Sequence, residues 1–340
     1  MEIGLFTFGE VTRSATGEAL SPAQRLRDFV RLATLADEAG LDVFGVGEHH
    51  RPDFAISSPA VVLAAIAEAT TRIRLTSTVT VLSTADPVRV YEDFATLDLL
   101  SGGRAEITAG RGAYVESFPL FGYDLDDYHE LFDEKLDLLL RVNGSERVTW
   151  SGRFRPALRD AGVYPRALQE SLPIWIAVGG TPASVVRAAR RGLATYFAIL
   201  GQPEGFVDLA ALYRREGRDA GYDDDRLGLG VTSHFYVDAT SQGARDTFYP
   251  YYSRYIGDNM PRARGQALGR DAFEAWASPR GALVCGSPHE VVDKILWEHE
   301  LLGHRRFLAQ IGLGGLPFAE TARSIELLAT DVLPALRKAI

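Results

Sequence analysis

Four short segments carry residues whose types and spacing suit chemistry. Gly47-Glu48-His49-His50-Arg51 sets two imidazoles side by side, between a carboxylate and a guanidinium. Imidazole changes charge near neutral pH, so His49 or His50 suits work as an acid, a base or a hydrogen-bond partner. A helix-capping or surface pair is the plainer reading. A metal centre needs a third and fourth ligand that the nearby sequence does not supply, so no metal is expected. Ala109-Gly110-Arg111-Gly112-Ala113-Tyr114 places one arginine among glycines. Glycine lets backbone approach a ligand closely while the guanidinium grips a phosphate or carboxylate with two parallel bonds. An arginine that merely closes against Glu or Asp is the alternative.

Val178-Gly179-Gly180-Thr181-Pro182-Ala183-Ser184 combines a glycine pair with a helix start. Backbone N–H groups and the helix dipole favour an anion there, although a tight turn without a ligand needs the glycines as well. Gly312-Leu313-Gly314-Gly315-Leu316-Pro317 is a second glycine-rich loop, and it competes for the same role. The residues leave that choice open.

What must position these segments is a repeated strand-to-helix unit. Strand-like runs occur at 3–8, 43–47, 73–80, 105–108, 174–178, 195–199, 229–237 and 306–311, eight in all. Their nearly unbroken apolar character fits a parallel sheet buried on both faces. Ser21-Pro22, Ser58-Pro59, Asp86-Pro87, Thr181-Pro182 and Ser287-Pro288 each set a capping side chain before proline, the signature of a helix start. Ser287-Pro288-His289-Glu290 also reads as a capping box. Eight parallel strands joined by right-handed crossovers close into a (β/α)8 barrel, whose ligands gather where the strands end. A doubly wound open sheet is the rival architecture. A small hairpin is expected over 148–156. Residues 243–283, rich in aromatics and Arg without a clear period, read as an insertion before the last strand, a lid or an oligomer contact. The 340 residues are expected to form one domain, 1–340.

Composition narrows the partners. A net charge of −9 disfavours nucleic acid and anionic membrane surfaces, so any bound anion needs a local site. The apolar runs are short, the first residues lack the pattern of a secretion signal, and the single Cys285 fits a reducing compartment. Cytoplasmic residence is the expectation. Neither a P-loop nor a nucleophile elbow is found. The residues alone reach a barrel enzyme with a phosphate-bearing ligand.

At these same segments the chain resembles the bacterial luciferase family of flavin-dependent monooxygenases. The likeness runs through Glu48-His49-His50, Leu82-Ser83-Thr84-Ala85-Asp86-Pro87-Val88-Arg89, Leu97-Asp98, Ser101-Gly102-Gly103-Arg104, Arg111-Gly112-Ala113-Tyr114 and Phe121-Gly122, and continues faintly to the final helix. The resemblance implies a TIM barrel, commonly a homodimer, binding reduced FMN. It assigns His49 to the oxygenated flavin, Tyr114 to the lining of the same pocket, Arg111 to the phosphate, and Val178, Gly179 and Gly180 to phosphate and ring. It also implies a non-prolyl cis peptide at Thr78-Val79. The chain departs from luciferase where Gly110 replaces a reactive cysteine, His129 stands for a second phosphate-binding arginine, and Gly179 replaces an acidic residue, which puts light emission and aldehyde specificity in doubt.

The expected function is oxidation of a small, apolar organic substrate by reduced FMN and dioxygen through a flavin peroxide, with a separate flavin reductase or a nicotinamide as the reductant. Hydride transfer on a deazaflavin, and a non-catalytic flavin-binding protein, are the rivals.

Overall fold

A computed structural model describes residues 1–11, 18, 21–112, 114–260 and 265–340. Ala113 of the arginine segment and 261–264 of the expected insertion lie outside the described residues. In chain order the strands are β1 (Glu2–Thr7), β2 (Val43–Val46), β3 (Arg74–Ser77), β4 (Thr80–Val81), β5 (Ala105–Gly110), β6 (Arg147–Trp150), β7 (Leu158–Gly162), β8 (Ile174–Val178), β9 (Ala194–Ile199), β10 (Leu229–Val237), β11 (Val284–Gly286) and β12 (Arg306–Gln310). The helices are α1 (Pro22–Glu38), α2 (Pro59–Ala69), α3 (Pro87–Ser101), α4 (Ser117–Phe121), α5 (Tyr128–Gly144), α6 (Pro182–Arg190), α7 (Val207–Asp219), α8 (Ser241–Asn259), α9 (Arg270–Trp276), α10 (Pro288–Leu302), α11 (Phe318–Leu327) and α12 (Leu333–Ala339).

Parallel pairing runs β1–β2–β3–β5–β8–β9–β10–β12 and returns to β1, so eight strands close a barrel within an outer layer of helices. The closing seam pairs Glu2 with Arg306 and Phe6 with Gln310. Strand residues are buried on both faces, which is why the runs show no polar alternation.

Four details differ from expectation. The third run divides into β3 and β4 at the Thr78-Val79 cis peptide. The hairpin is β6–β7, and its return strand begins at Leu158 rather than closing by Pro156. Of the five helix starts, only Asp86 and Ser287 accept capping bonds with their side chains; Ser21, Ser58 and Thr181 contribute position without that bond. Finally, the segment read as aperiodic is mostly helical. Phe248, Tyr252, Tyr255 and Ile256 of α8 join Phe273 of α9 in a second buried cluster with Tyr236 and Leu313. Those buried aromatics build a core of their own.

The barrel's two ends differ in their polar chemistry. Where strands begin, Arg306 donates to Glu106 at 2.6 Å, to Glu2 at 2.6 Å and to the Tyr196 hydroxyl at 2.9 Å. Arg74 also donates to Glu106, and the Trp175 ring covers the Arg306 guanidinium. Every charge in that group is answered, and Arg306 and Arg74 hold the Glu106 carboxyl below its ordinary value despite burial. No described helix is long and apolar enough to cross a membrane.

Candidate functional site

Where the strands end, buried polar atoms lack partners. Among the described residues these include both carboxyl oxygens of Glu10, Nδ1 of His49, the hydroxyls of Thr78, Thr80 and Ser233, and Nε2 of Gln310. They come from the exits of β1, β2, β3, β4, β10 and β12. Buried polar groups are nearly always paired, so a concentration of unpaired ones at one end of a barrel marks where something polar binds.

The phosphate-type residues meet at the rim beside them. Arg111 leaves the end of β5 and donates to the Ser184 hydroxyl at 2.9 Å, in the first turn of α6. Its other terminal nitrogen donates to Nδ1 of His129 at 3.0 Å, so His129 serves as an acceptor there rather than as a second cation. The Tyr128 ring lies under the guanidinium, 4.8 Å from ring centre to Cζ. Arg187 reaches the same hydroxyl at 3.5 Å while bonded to Asp133, whose charge it answers. Gly180 adopts a left-handed φ of 106°, which a side chain disfavours. A Cβ at Gly179 would meet nothing within 4 Å, so the turn before α6 faces open space. The rival loop is closed by packing. A Cβ at Gly314 would strike the Tyr251 carbonyl at 2.1 Å, and Arg254 donates to the Gly314 carbonyl at 2.7 Å. Of the two glycine loops, only Gly179-Gly180 joins Arg111 and has room beside it.

Val178, buried as the last residue of β8, delivers the chain to that turn. Thr78-Val79 is cis, lodged between two glycine exits. A Cβ at Gly110 would lie 2.6 Å from a Val79 methyl, and one at Gly45 2.6 Å from the Thr78 methyl. This explains Gly110 where luciferase carries cysteine: no side chain fits against Val79. The Glu48 carboxylate secures the segment by accepting from the Val81 N–H at 2.8 Å, and its other oxygen pairs with Nε2 of His50 at 2.8 Å. His50 is thus tied to Glu48 and packed edge-on against Phe121.

His49 has a different setting. Its ring stacks on Phe54 at 4.2 Å and meets Phe8 at 4.6 Å and the Tyr114 ring at 5.3 Å. Burial, helped by the charges of Arg51 and His50, pushes it down to about 3. Burial thus favours the neutral ring across physiological pH. What it offers is a neutral ring with an uncommitted Nδ1. Tyr114 donates to Asn259 at 3.1 Å, bridging the end of β5 to the end of α8, and burial raises its phenol to about 12. Arg51 lies over the same ring at 4.6 Å while paired with Asp53.

Sequence reading missed Glu10, the use of Ser184 by Arg111, and Asn259. A lone Glu after a strand or a lone Ser in a helix carries no periodic signal, and Asn259 is 145 positions from Tyr114.

Comparison with known proteins bears on the fold and the family. The family model described as luciferase-like monooxygenase matches residues 1–305. The chain is 29% identical over 327 residues to 4-hydroxyprotoasukamycin monooxygenase of Streptomyces nodosus subsp. asukaensis, covering 92% of this chain and 87% of that one. The crystal structure of monooxygenase RslO1 from Streptomyces bottropensis superposes with a TM-score of 0.85 at 27% identity, covering 98% and 99% of the two chains. An F420-dependent secondary alcohol dehydrogenase shares the fold at 18% identity, with a TM-score of 0.75 and 99% of each chain covered. With a closed barrel, a polar mouth and a family match over most of its length, the chain belongs to the luciferase-like monooxygenases.

Proposed function

We propose that this enzyme holds reduced FMN at the barrel mouth and uses it with dioxygen to oxidise a small, mainly apolar organic molecule. The observation that carries the reading is the meeting of Arg111 with Ser184 and the Gly179-Gly180 turn at one rim. The residues present fit the cofactor: open space beside a helix N-terminus suits a phosphate, and the unpartnered polar atoms of Thr78, Thr80, Ser233 and Gln310 toward the strand exits suit a heterocycle with several donors and acceptors.

When bound, reduced FMN supplies the electrons for oxygen chemistry. Arg111 and Ser184 would anchor its phosphate, with His129 orienting the guanidinium. Thr78, Val79, Val178, Gly179 and Gly180 would flank its ring. His49 holds its Nδ1 ready as a single hydrogen-bonding atom inside an aromatic box of Phe8, Phe54 and Tyr114. That box excludes water from the reacting region. Tyr114 keeps its proton and ties α8 to the rim.

A deazaflavin is the second reading, favoured by the fold shared with an F420-dependent dehydrogenase. Deazaflavins react poorly with oxygen, and relatives named as monooxygenases favour FMN. We further propose that a separate reductase supplies the reduced flavin, and that the protein acts as a cytoplasmic homodimer. Titration with FMN, riboflavin and the deazaflavin tests the cofactor. FMN should bind at least about tenfold more tightly than riboflavin, the value of one charge-assisted phosphate contact. Equal affinity for FMN and riboflavin, or a preference for the deazaflavin, overturns the reading.

A further inference from the structure

Glu10 is a buried carboxylate beside the barrel mouth that the function above does not use. It follows β1 and is 1% exposed, and no other residue hydrogen-bonds to either of its oxygens, although its own backbone N–H lies close enough to favour the ionised form. Its backbone is fixed on three sides. Glu10 bridges antiparallel to Phe54, Val11 donates to the Asp53 carbonyl at 2.6 Å, and Arg25 Nε donates to the Glu10 carbonyl at 3.1 Å. The side chain is therefore placed by a braced strand end, not by a mobile tail. Arg25 would be the obvious partner, yet it binds the backbone oxygen and leaves its own Nη2 unpaired. The guanidinium instead lies over Phe29 at 4.6 Å.

The surroundings belong to the site. Phe54, bridged to Glu10, is the ring on which His49 stacks. The charge of Glu10 is felt by both the Tyr114 and the Tyr255 hydroxyls. The groups facing the carboxyl electrostatically are Arg25, Asp53, Tyr114 and Tyr255, and burial outweighs them, raising its titration to about 7. A buried carboxyl without a partner is costly, and its usual explanation is a ligand that completes it.

We propose that Glu10 is a specificity-determining residue whose carboxyl receives an O–H or N–H group of the organic substrate. The substrate class is then an apolar molecule carrying one hydroxyl or amine, such as a phenol or an aryl-alkylamine, held at the wall between the exits of β1 and β2. This rests on the barrel mouth being the substrate site and deepens that reading. The carboxyl accepts from the donor when ionised, and Arg25 beside it steadies the negative form.

The experiment uses 4-ethylphenol, phenethylamine and ethylbenzene as probes on the full chain loaded with FMN. Titration calorimetry is run on the native protein and on the Glu10→Gln and Glu10→Asp variants. At pH 8 one or both donor probes should bind about tenfold more tightly than ethylbenzene, the worth of one hydrogen bond to a charged group. Phenol and amine arms separate the two sources of the donor. Glu10→Gln should lose most of that preference, and Glu10→Asp should keep part of it. FMN affinity, followed by flavin fluorescence, should be unchanged in both variants. Equal binding of all three probes, failure of all three to bind, or an undiminished preference in Glu10→Gln overturns the proposal. Loss of FMN binding by the native protein would instead overturn the cofactor assignment, whatever the probes do.

Discussion

Arg111 and Ser184 lie 73 positions apart, yet the arginine's Nη2 donates to the serine hydroxyl at 2.9 Å. The bond joins the end of β5 to the first turn of α6, two neighbouring repeats of the barrel, and it aims a cation at a helix N-terminus. Two features that each favour an anion are thus fixed on a single point.

Arg111→Ala should weaken FMN binding by about tenfold to a hundredfold, the range for losing hydrogen bonds to a charged group. Riboflavin, which has no phosphate, should lose little. Ser184→Ala should cost only a few-fold. Fluorescence titration of both flavins against each variant checks this. Equal losses for FMN and riboflavin would place Arg111 away from the phosphate.

His49→Ala should leave FMN affinity nearly unchanged and slow oxygen uptake by the protein loaded with reduced FMN. Because burial holds His49 down to about 3, the pH profile of oxygen uptake between 5 and 8 should carry no limb that vanishes in the variant. A limb in the native profile that the variant lacks would show that His49 titrates in that range. Unchanged kinetics in the variant would favour a non-catalytic flavin carrier.

Glu106→Ala should destabilise the barrel by about 3–5 kcal/mol, because Arg306 would stay buried without its main partner. Glu2→Ala removes another contact of the same guanidinium. The Glu2 side chain is 44% exposed, so its loss should cost about 1 kcal/mol or less. Denaturant titration separates the two. Flavin affinity should hold in both variants, since neither residue is near the mouth.

Stability should fall toward acid. His49 and His304 are pushed down to about 3 and His234 to about 4, all by burial. Each binds its proton more tightly when unfolded, so the stability from keeping them neutral is complete above pH 6.5 and is lost as pH falls below it. Glu298, fully buried in α10 with both oxygens unpartnered, has the opposite sign. Burial raises its carboxyl well above the ordinary range, outweighing the opposing charge of Lys294 one turn before it, so its contribution is complete at low pH and is lost as pH rises. Glu298→Gln should therefore gain thermal stability over the native protein at pH 9, by about 1–3 kcal/mol, and gain little at pH 5. Melting curves at the two pH values decide it; an equal offset at both would mean that Glu298 does not titrate there.

The barrel itself was legible because β5, β12 and all of β1 after Glu2 are buried, and burial on both faces writes an unbroken apolar run into the chain. The cis peptide at Thr78-Val79 followed from resemblance to the family, but the division of the third strand that it causes was not read from the run. In α8, Phe248, Tyr252, Tyr255 and Ile256 do follow a helical spacing, but Tyr249 and Tyr251 beside them and Pro250 within the helix obscured it. The phosphate-type residues were legible because glycines and arginine at a strand exit have few structural uses. Glu10 was not. Its setting includes Phe54, Tyr114 and Tyr255, far along the chain, and nothing in its immediate neighbours announces that.

One strand carries a further lesson. The first half of β10 pairs with β9 and β12 in the barrel wall, and its last three residues, Phe235 to Val237, pair with β11. Helices α8 and α9 run between those two strands, so both ends of the excursion are stitched to the same rigid staircase. Any shift of α8 relative to the barrel would therefore load β10 and β11 together, and the Tyr114–Asn259 bond with them.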